Sequence, residues 1–421
     1  MHRIYLFLTC AIVSSCTRPG KDIMVEKERE ALLEMMDEVA QDMNAMGFPL
    51  DLKEISVEVY DQDAMAGLFE KISEDSTSNV GPITSFGPRV VEVTTKESDD
   101  DPEGNRLAFY DPNSKTIVFQ KGASNTITKG YLAHELTHVY QDQRWGFDRI
   151  WQSYQNMPSR EMFNITQFLI EGYAELVRQT YEQSEADNKR EINALSLVLG
   201  KYAEAECIEC FAVKSMVNLP YSLGLRFLVH QFREGGWPLV DQVFQDLPTS
   251  TEQIIHPKKL KKDEPTTVIL PTMGNTSLGL KKVSEGKLGE AFLLSKLLSM
   301  AMPIKQAFEC ASGFDGDLSQ LYQTDGGQEV LIWRIVFDRV IDAEQLLERI
   351  SALNKPYTLM RTGRVVDWIV SDNESLTNKT RIFLSKHPLS LEGNADDEET
   401  TREQEITMKN EQGLLKNPYY D

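Results

Sequence analysis

The pattern His134-Glu135-Leu136-Thr137-His138 requires a helix if its two histidines are to act together. Residues four apart in an α-helix lie on one face, one turn apart along the axis, so both imidazoles can bind one metal ion. Glu135 projects beside them, where its carboxylate can reach a water on the metal without binding the metal itself. The alternative is a surface helix that carries two unrelated histidines.

A second pair of acidic residues supplies what this motif lacks. Catalytic zinc has three protein ligands and leaves its fourth position to water. Glu171 and Glu175 lie four residues apart in the apolar run from Phe163 to Val177, which predicts a buried helix. Because buried carboxylates are costly without a positive partner, we expect Glu171 to bind the metal and Glu175 to accept the free ring N–H of His134. The alternative places both glutamates on a solvent face.

This combination of HExxH and Glu-x-x-x-Asp/Glu on a second helix resembles the gluzincin metallopeptidases, the thermolysin-like group. The resemblance implies one zinc ion, with His134, His138 and Glu171 as its ligands. It also implies that Glu135 is the general base and that Glu175 supports a histidine. Glu175 stands where the pattern usually has aspartate, and this longer side chain leaves its contact open.

The chain is also similar to a largely uncharacterised bacterial family of envelope proteins marked by His-Glu-Leu-Thr-His-x-x-Gln-Asp-Gln. The matching pieces outside this motif are Pro220-Tyr221 through Phe227, Ser250 through Pro257, and Leu288-Gly289-Glu290. The resemblance covers roughly residues 100 to 350. Its motifs say little about a substrate.

Tyr221 and His256 are further catalytic candidates by analogy. Gluzincins generally use a tyrosine or histidine to stabilise the developing oxyanion or to protonate the leaving amine. His256 follows the capping pattern that begins at Ser250. The alternative for each is an ordinary hydrogen-bonded side chain, which is how we interpret His230 in its apolar run.

A hairpin is predicted just before the HExxH helix. The β-prone runs 107–110 and 116–120 flank the turn-rich residues 111–115. Such a strand could pair with an extended peptide, as a sheet edge does in strand addition, or it could simply pack on the helix. After the helix motif, Asp142 could orient His138 or serve only as a charge at the helix end.

The N-terminus predicts export. His2 and Arg3 precede an apolar stretch, residues 4–13, that is too short to span a bilayer. We interpret residues 1–15 as a signal peptide, and the small residues before Cys16 resemble a bacterial lipobox in which this cysteine is lipidated. We therefore expect a lipid-anchored protein of the bacterial cell envelope, in the outer membrane if the cell is Gram-negative. The alternative is a periplasmic or secreted protein.

The net charge limits the classes of binding partner, and the cysteine spacing raises a separate question. The chain of 421 residues has 65 acidic and 44 basic residues, a formal net charge of -21. This balance argues against nucleic acid and anionic membrane surfaces as partners, so we expect the membrane to be contacted only through the lipid anchor. A peptide or protein substrate is what the gluzincin resemblance implies. Cys207 and Cys210 form a CxxC whose expected role is structural, as a local disulfide or two thiols, and the alternatives are a redox pair or half of a metal site.

The overall pattern predicts an α+β protein with a mainly helical, zincin-like catalytic core and small sheet or hairpin elements. Residues 22–104 form an N-terminal region with an acidic loop, 105–350 the catalytic region, 351–390 a small β-containing extension, and 391–421 an acidic disordered tail. The expected helices are 24–46, 288–302 and 342–353, in addition to a mainly helical stretch at 125–244. The expected strands are 55–60, 90–94, 329–337, 365–370 and 381–384.

These observations predict a zinc-dependent metallopeptidase in which Glu135 activates water. Two hypotheses compete with it. One is a catalytically silent zinc-binding envelope lipoprotein that serves as a binding or scaffold module, and the other is a structural lipoprotein in which the motif is coincidental. The sequence does not identify the substrate.

Overall fold

The computed structural model describes residues 23–65, 108–147, 150, 159–187, 219–273, 279–353, 358–387 and 404–407. These residues form two compact units, of which the first ends at Leu260 and the second begins at Lys261. The predicted α+β class is confirmed. The signal segment with Cys16, the expected strand 90–94, and the pair Cys207 and Cys210 lie outside the described residues.

The first unit consists mainly of long helices beside a small sheet. The sheet has the order β1-β3-β2, with β1 parallel and β2 antiparallel to β3. The predicted hairpin is confirmed as β2 and β3. The elements are α1 (Ile23–Ala45), β1 (Ser56–Tyr60), β2 (Ala108–Asp111), β3 (Thr116–Gln120), α2 (Lys129–Trp145), α3 (Arg160–Asp187), α4 (Leu219–Gln245) and α5 (Thr251–Ile255).

Helix α2, which carries the HExxH motif, has defined ends. The Thr128 side chain caps it by accepting a hydrogen bond from the amide of Tyr131 at 3.1 Å. The helix ends at Gly146, whose φ of 71° favours glycine. Every residue from 132 to 141 is buried, so both the apolar and the polar faces of this stretch are enclosed.

Helices α3 and α4 cross at a pair of glycines. A Cβ atom on Gly172 would lie 2.2 Å from the carbonyl carbon of Gly224, and one on Gly224 would lie 1.9 Å from the oxygen of Phe168. Both distances are too short for real atoms, so the two backbones meet without intervening side chains. Glu171, the expected ligand, directly precedes this crossing.

Aromatic side chains fill the space behind the HExxH helix. Trp145 of α2 stacks on Phe244 of α4, with ring centroids 4.1 Å apart. Tyr173 of α3 lies 5.3 Å from Trp145 and 5.7 Å from Trp237. Such pairs add to the burial of apolar surface. The three helices around the motif are therefore packed firmly against one another.

The second unit is built on one antiparallel sheet of order β4-β5-β6-β8-β7-β9. None of the helices in the described ranges of either unit is long and apolar enough to cross a membrane. The elements are β4 (Leu280–Gly286), α6 (Glu290–Ser299), α7 (Ile304–Ala311), β5 (Phe314–Thr324), β6 (Glu329–Phe337), α8 (Val340–Ala352), β7 (Thr358–Thr362), β8 (Val365–Val370), α9 (Glu374–Ser385) and β9 (Gln404–Thr407).

One expected strand is a helix. Residues 381–384, predicted as a strand, belong to α9, whose first turn is capped by the Asn373 side chain. Leu376, Thr380 and Leu384 are buried at a spacing of four, the spacing of a helix face rather than of a strand. Of the stretch 391–421, which is predicted to be disordered, the structure describes only residues 404–407, which form β9 and pair with β7.

The second unit contains buried charged side chains whose partners also lie in that unit. Arg334 of β6 donates from Nε and Nη2 to the two carboxylate oxygens of Asp367 on β8, at 2.6 and 2.7 Å. Asp317 of β5 accepts hydrogen bonds from the Leu288 amide and from Trp333 Nε1, both at 2.8 Å. Burial nevertheless raises the pKa of Asp317 to about 6. The Leu288-Gly289-Glu290 motif therefore supplies backbone donors that fix the start of α6.

Candidate metal centre

Two helices of the first unit bring the predicted ligands together. Helix α2 carries His134 and His138, and α3 carries Glu171. The histidines are 7% and 8% exposed, so water is largely kept from them. We refer to these three residues as the His-His-Glu cluster.

The ligand atoms of the His-His-Glu cluster converge. His134 Nε2 lies 3.2 Å from Glu171 Oε2, and His138 Nε2 lies 3.6 Å from the same oxygen. All the ligand atoms lie within 4.8 Å of one another. Ligands about 2.0–2.1 Å from a tetrahedral zinc stand roughly 3.3 Å apart. The spacing and the donor set, two imidazoles and one carboxylate, therefore fit zinc.

His134 lies in a strongly acidic environment. Burial by itself would lower its pKa, but the hydrogen bond and charge of Glu171 outweigh burial, and Glu135 and Glu175 add to them, so the pKa is raised. A cation at this position is stabilised by the three surrounding carboxylates. The same field that favours a proton on the imidazole favours a metal ion in its place.

Glu135, the predicted general base, lies beside His134. It follows His134 directly on α2, is 6% exposed, and is close enough to raise the pKa of that histidine through its charge. The structure thus places a buried third carboxylate beside the cluster, in addition to the carboxylates of α3.

Glu175 is near His134 but is held by other groups. Its Oε2 lies 3.9 Å from His134 Nδ1, beyond hydrogen-bonding distance. Arg178 donates to both of its oxygens, at 2.7 Å from Nε and 2.6 Å from Nη2, and Gln179 donates at 2.7 Å. Burial would raise the pKa of Glu175, but these donors lower it. Glu175 is thereby kept as a carboxylate facing His134.

Sequence reasoning missed the residue that supports His138. Gln141 Oε1 lies 2.9 Å from His138 Nδ1. Asp142, the residue considered for this role, instead accepts from the Tyr110 hydroxyl at 2.8 Å and pairs with Lys115. Its side chain joins the hairpin to the end of α2, because its direction on the helix differs by about 100° from that of Gln141. The three-residue spacing from His138 to Gln141 was the available signal.

Tyr221 lies next to the cluster. Its ring centroid is 5.8 Å from that of His134, with the planes inclined by 31°. Tyr131, one turn before His134 on α2, lies on the same ring at 6.5 Å. Tyr221 reaches this position because it stands three residues before Gly224, where α4 crosses α3. The structure thus brings one of the two sequence-derived catalytic candidates to the histidines.

His256 stands at the end of α5, where its amide donates to the Glu252 carbonyl at 2.7 Å. The start of α5 is fixed by Glu161 on α3, which accepts from the Thr251 amide at 3.1 Å. Glu161 is ten residues before Glu171, about 15 Å along the helix. These contacts fix the backbone of His256 at the end of α5, and Tyr221 has a direct ring contact with His134.

Strand β2 is an edge of the small sheet within the described residues. All four of its side chains are buried. The hydroxyl of Tyr131 on the HExxH helix donates to the carbonyl of Ala108 at 3.4 Å, and Tyr110 is bound to Asp142 as described. The strand is thus tied at two points to the helix that bears the histidines.

Comparison with known proteins found no matching family model and no similar curated protein or solved structure. The likeness to gluzincins therefore stays a prediction that the motif residues carry. The function has to be argued from the side chains of the site and their distances.

Proposed function

We propose that the protein is a zinc-dependent metallopeptidase that hydrolyses peptide bonds. The observation that carries the proposal is the convergence of His134 Nε2 and His138 Nε2 on one oxygen of Glu171, at 3.2 and 3.6 Å, beside buried Glu135. His134, His138 and Glu171 would hold one zinc ion. When bound, zinc would polarise the scissile carbonyl and lower the pKa of the attacking water.

The remaining chemistry belongs to the side chains. Glu135 takes a proton from the water as its oxygen attacks the carbonyl carbon, and then passes that proton to the leaving amine nitrogen. Tyr221 donates its hydroxyl hydrogen to the carbonyl oxygen as negative charge develops there. The surrounding buried groups keep these charges away from bulk water, which strengthens both interactions.

The edge of β2 is the proposed place for the substrate backbone. An extended peptide pairs with a sheet edge through main-chain hydrogen bonds, which are independent of side-chain identity. Since Tyr131 and Asp142 tie this strand to α2, a peptide on the edge would run beside the histidines. A peptide or protein is therefore the proposed substrate, and the proposed location is the cell envelope, with an N-terminal lipid anchor at Cys16.

The Glu135→Gln variant tests the mechanism. Glutamine keeps the size of the side chain but cannot take a proton, so we expect cleavage of a peptide library to fall at least about 100-fold while zinc content stays near one per chain. Zinc is measured by elemental analysis of the purified protein. Glu38→Gln is the control, since Glu38 is exposed and pairs with Lys129 at the start of the same helix.

Three results would contradict the proposal or change it. Wild-type protein without near-stoichiometric zinc contradicts the metal centre. Cleavage that survives Glu135→Gln contradicts the role of Glu135. Zinc-loaded wild-type protein that cleaves no member of the library favours the silent zinc-binding envelope module.

A further inference from the structure

Gln141 contacts the candidate site but takes part in no step of the proposed reaction. It is fully buried on α2, three residues after His138. Its Oε1 lies 2.9 Å from His138 Nδ1, and its Nε2 donates to the carbonyl oxygen of Ile170 at 2.9 Å. Both ends of the amide are thus engaged, one by each of the two helices that carry the His-His-Glu cluster.

These contacts fix the orientation of the amide. The oxygen of Ile170 is a carbonyl and can only accept, so the group facing it must be the amide nitrogen of Gln141. The carbonyl oxygen of Gln141 then faces His138 Nδ1. Because that oxygen can only accept, Nδ1 must carry the hydrogen.

The protonated Nδ1 determines which atom of His138 can bind a metal. A neutral imidazole has one N–H and one lone pair, so Nε2 retains the lone pair. Nε2 is the atom 3.6 Å from Glu171 Oε2. The other end of Gln141 is bound to Ile170, the residue immediately before Glu171 on α3. One side chain therefore relates the ring of the second histidine to the backbone that carries the third ligand.

We propose that Gln141 is the positioning residue of the metal centre: it selects the Nδ1–H tautomer of His138 and holds α2 and α3 at the spacing that the ligands need. This inference rests on the proposed function, because it assigns to Gln141 the support of a zinc ligand. Among the described residues, His134 has no equivalent of this amide: Glu175 Oε2 lies 3.9 Å from its Nδ1, and Glu175 is bound by Arg178. A buried neutral amide supports one imidazole and a carboxylate faces the other.

The chain contains a matched control on the same helix. Gln143 is exposed to solvent and is also used at both ends, with Nε2 donating to the Asp51 carbonyl at 2.6 Å and Oε1 accepting from the Asp51 amide at 3.1 Å. It differs from Gln141 in touching no residue of the His-His-Glu cluster through these bonds. Replacing each glutamine by methionine removes a bridging amide while keeping a side chain of similar length.

The test measures zinc affinity and the tautomer of His138 in the full chain. Gln141→Met should weaken zinc binding about 10–100-fold in competition with a chelator, the usual cost of losing a partner of a metal-bound histidine. Gln143→Met should change it by less than about 2-fold. In the metal-free wild type at mildly alkaline pH, the nitrogen NMR shifts of the His138 ring should report hydrogen on Nδ1, and Gln141→Met should lose this preference.

Gln141→Glu separates the two parts of the role. The carboxylate still accepts from His138 Nδ1, so the tautomer should be kept, but it has no hydrogen for Ile170 and zinc affinity should still fall. A wild-type His138 protonated on Nε2 overturns the proposal even if no variant folds. A Gln141→Met variant that binds zinc as tightly as the wild type also overturns the proposal. Wild-type protein without zinc affinity contradicts the metallopeptidase instead, while the tautomer measurement still tests Gln141.

Discussion

In the second unit, Arg334 and Asp367 bury their charges as a matched pair, with both carboxylate oxygens bound by one guanidinium. In the first unit, His134 and His138 are also buried and the Glu171 side chain is 13% exposed, yet two imidazole nitrogens are directed at one carboxylate oxygen. The first arrangement is electrically complete within the protein. The second brings together groups that all have lone pairs to offer, which is the requirement for binding a cation.

This difference distinguishes buried charged groups that stabilise the fold from buried groups that bind a ligand. A buried group whose partner of opposite charge lies on the neighbouring strand contributes to a specific fold, and losing either member leaves a costly charge behind. Bringing several lone-pair-bearing groups together away from water is unfavourable unless a bound cation stabilises them. Such a cluster therefore indicates a binding site. Stability and zinc affinity should therefore respond to different substitutions.

The largest effect is expected from breaking the matched pair. Asp367→Asn leaves the buried guanidinium of Arg334 without its counter-charge and should lower the free energy of unfolding by about 3–5 kcal/mol, measured by denaturant titration of the metal-free protein. Zinc affinity should be unchanged as long as the variant is folded. Glu171→Gln should do the reverse, weakening zinc binding by more than about 100-fold with less than about 1 kcal/mol lost in metal-free stability.

A double variant checks the interpretation of the pair. Replacing Arg334 by methionine and Asp367 by leucine removes both charges together, and most of the stability lost in Asp367→Asn should return. Equal losses in the single and double variants would show that packing, not charge pairing, dominates at these positions. The contrast between the two units would then fail.

The next effect is a pH dependence that arises in the second unit. Burial raises the pKa of Asp317 from 3.8 to about 6, so the folded protein keeps this proton over a range in which the unfolded chain has released it. The folded state binds more protons there, and the free energy of unfolding should fall, by up to about 3 kcal/mol, as the pH rises from about 4 to about 6. The slope should be absent from Asp317→Asn, and a wild type that matches this variant across the range would contradict the assignment.

The smallest effect concerns two tyrosines, one in each unit. Tyr221→Phe removes the hydroxyl proposed to stabilise the oxyanion and should lower kcat about 100-fold without changing zinc content. In the second unit the Tyr322 hydroxyl accepts from the Met273 amide and donates to Gln320. Tyr322→Phe should cost about 1 kcal/mol of stability and leave kcat unchanged. Equal kcat values for wild type and Tyr221→Phe would restrict Tyr221 to a packing role.

The pairing of the two histidines was predictable because their spacing is local, and Glu171 was predictable from the apolar run around it. His134 and His138 share a helix face through their separation of four, and the apolar run around Glu171 predicts that this carboxylate is buried. The contacts of the residues that support the histidines could not be predicted, because they depend on neighbouring side chains that the sequence spacing does not specify. Arg178 takes the oxygens of Glu175 that were expected to serve His134, and Gln141 fills the place considered for Asp142.

In the second unit, strand β5 shows where sequence patterns lose information. Asp317, Ser319 and Gln320 are buried polar residues in this strand, and each has a partner outside it, as with the Gly286 carbonyl that accepts from Ser319. An alternation of apolar and polar residues is therefore obscured, and β5 was not predicted. In α9, β-branched Ile382 favoured a strand locally, while the buried positions four apart specified a helix.

The contact between Gly172 and Gly224 has a consequence for how the site can vary. Because main chain touches main chain there, no change of side chain can bring the two helices closer together, and larger residues at these two positions would have to push them apart. Glu171 and Tyr221 would move away from each other together with their backbones. Substitutions elsewhere on α3 and α4 can thus change which substrates the site binds. The minimum separation of the backbones that carry Glu171 and Tyr221 is set by the two glycines.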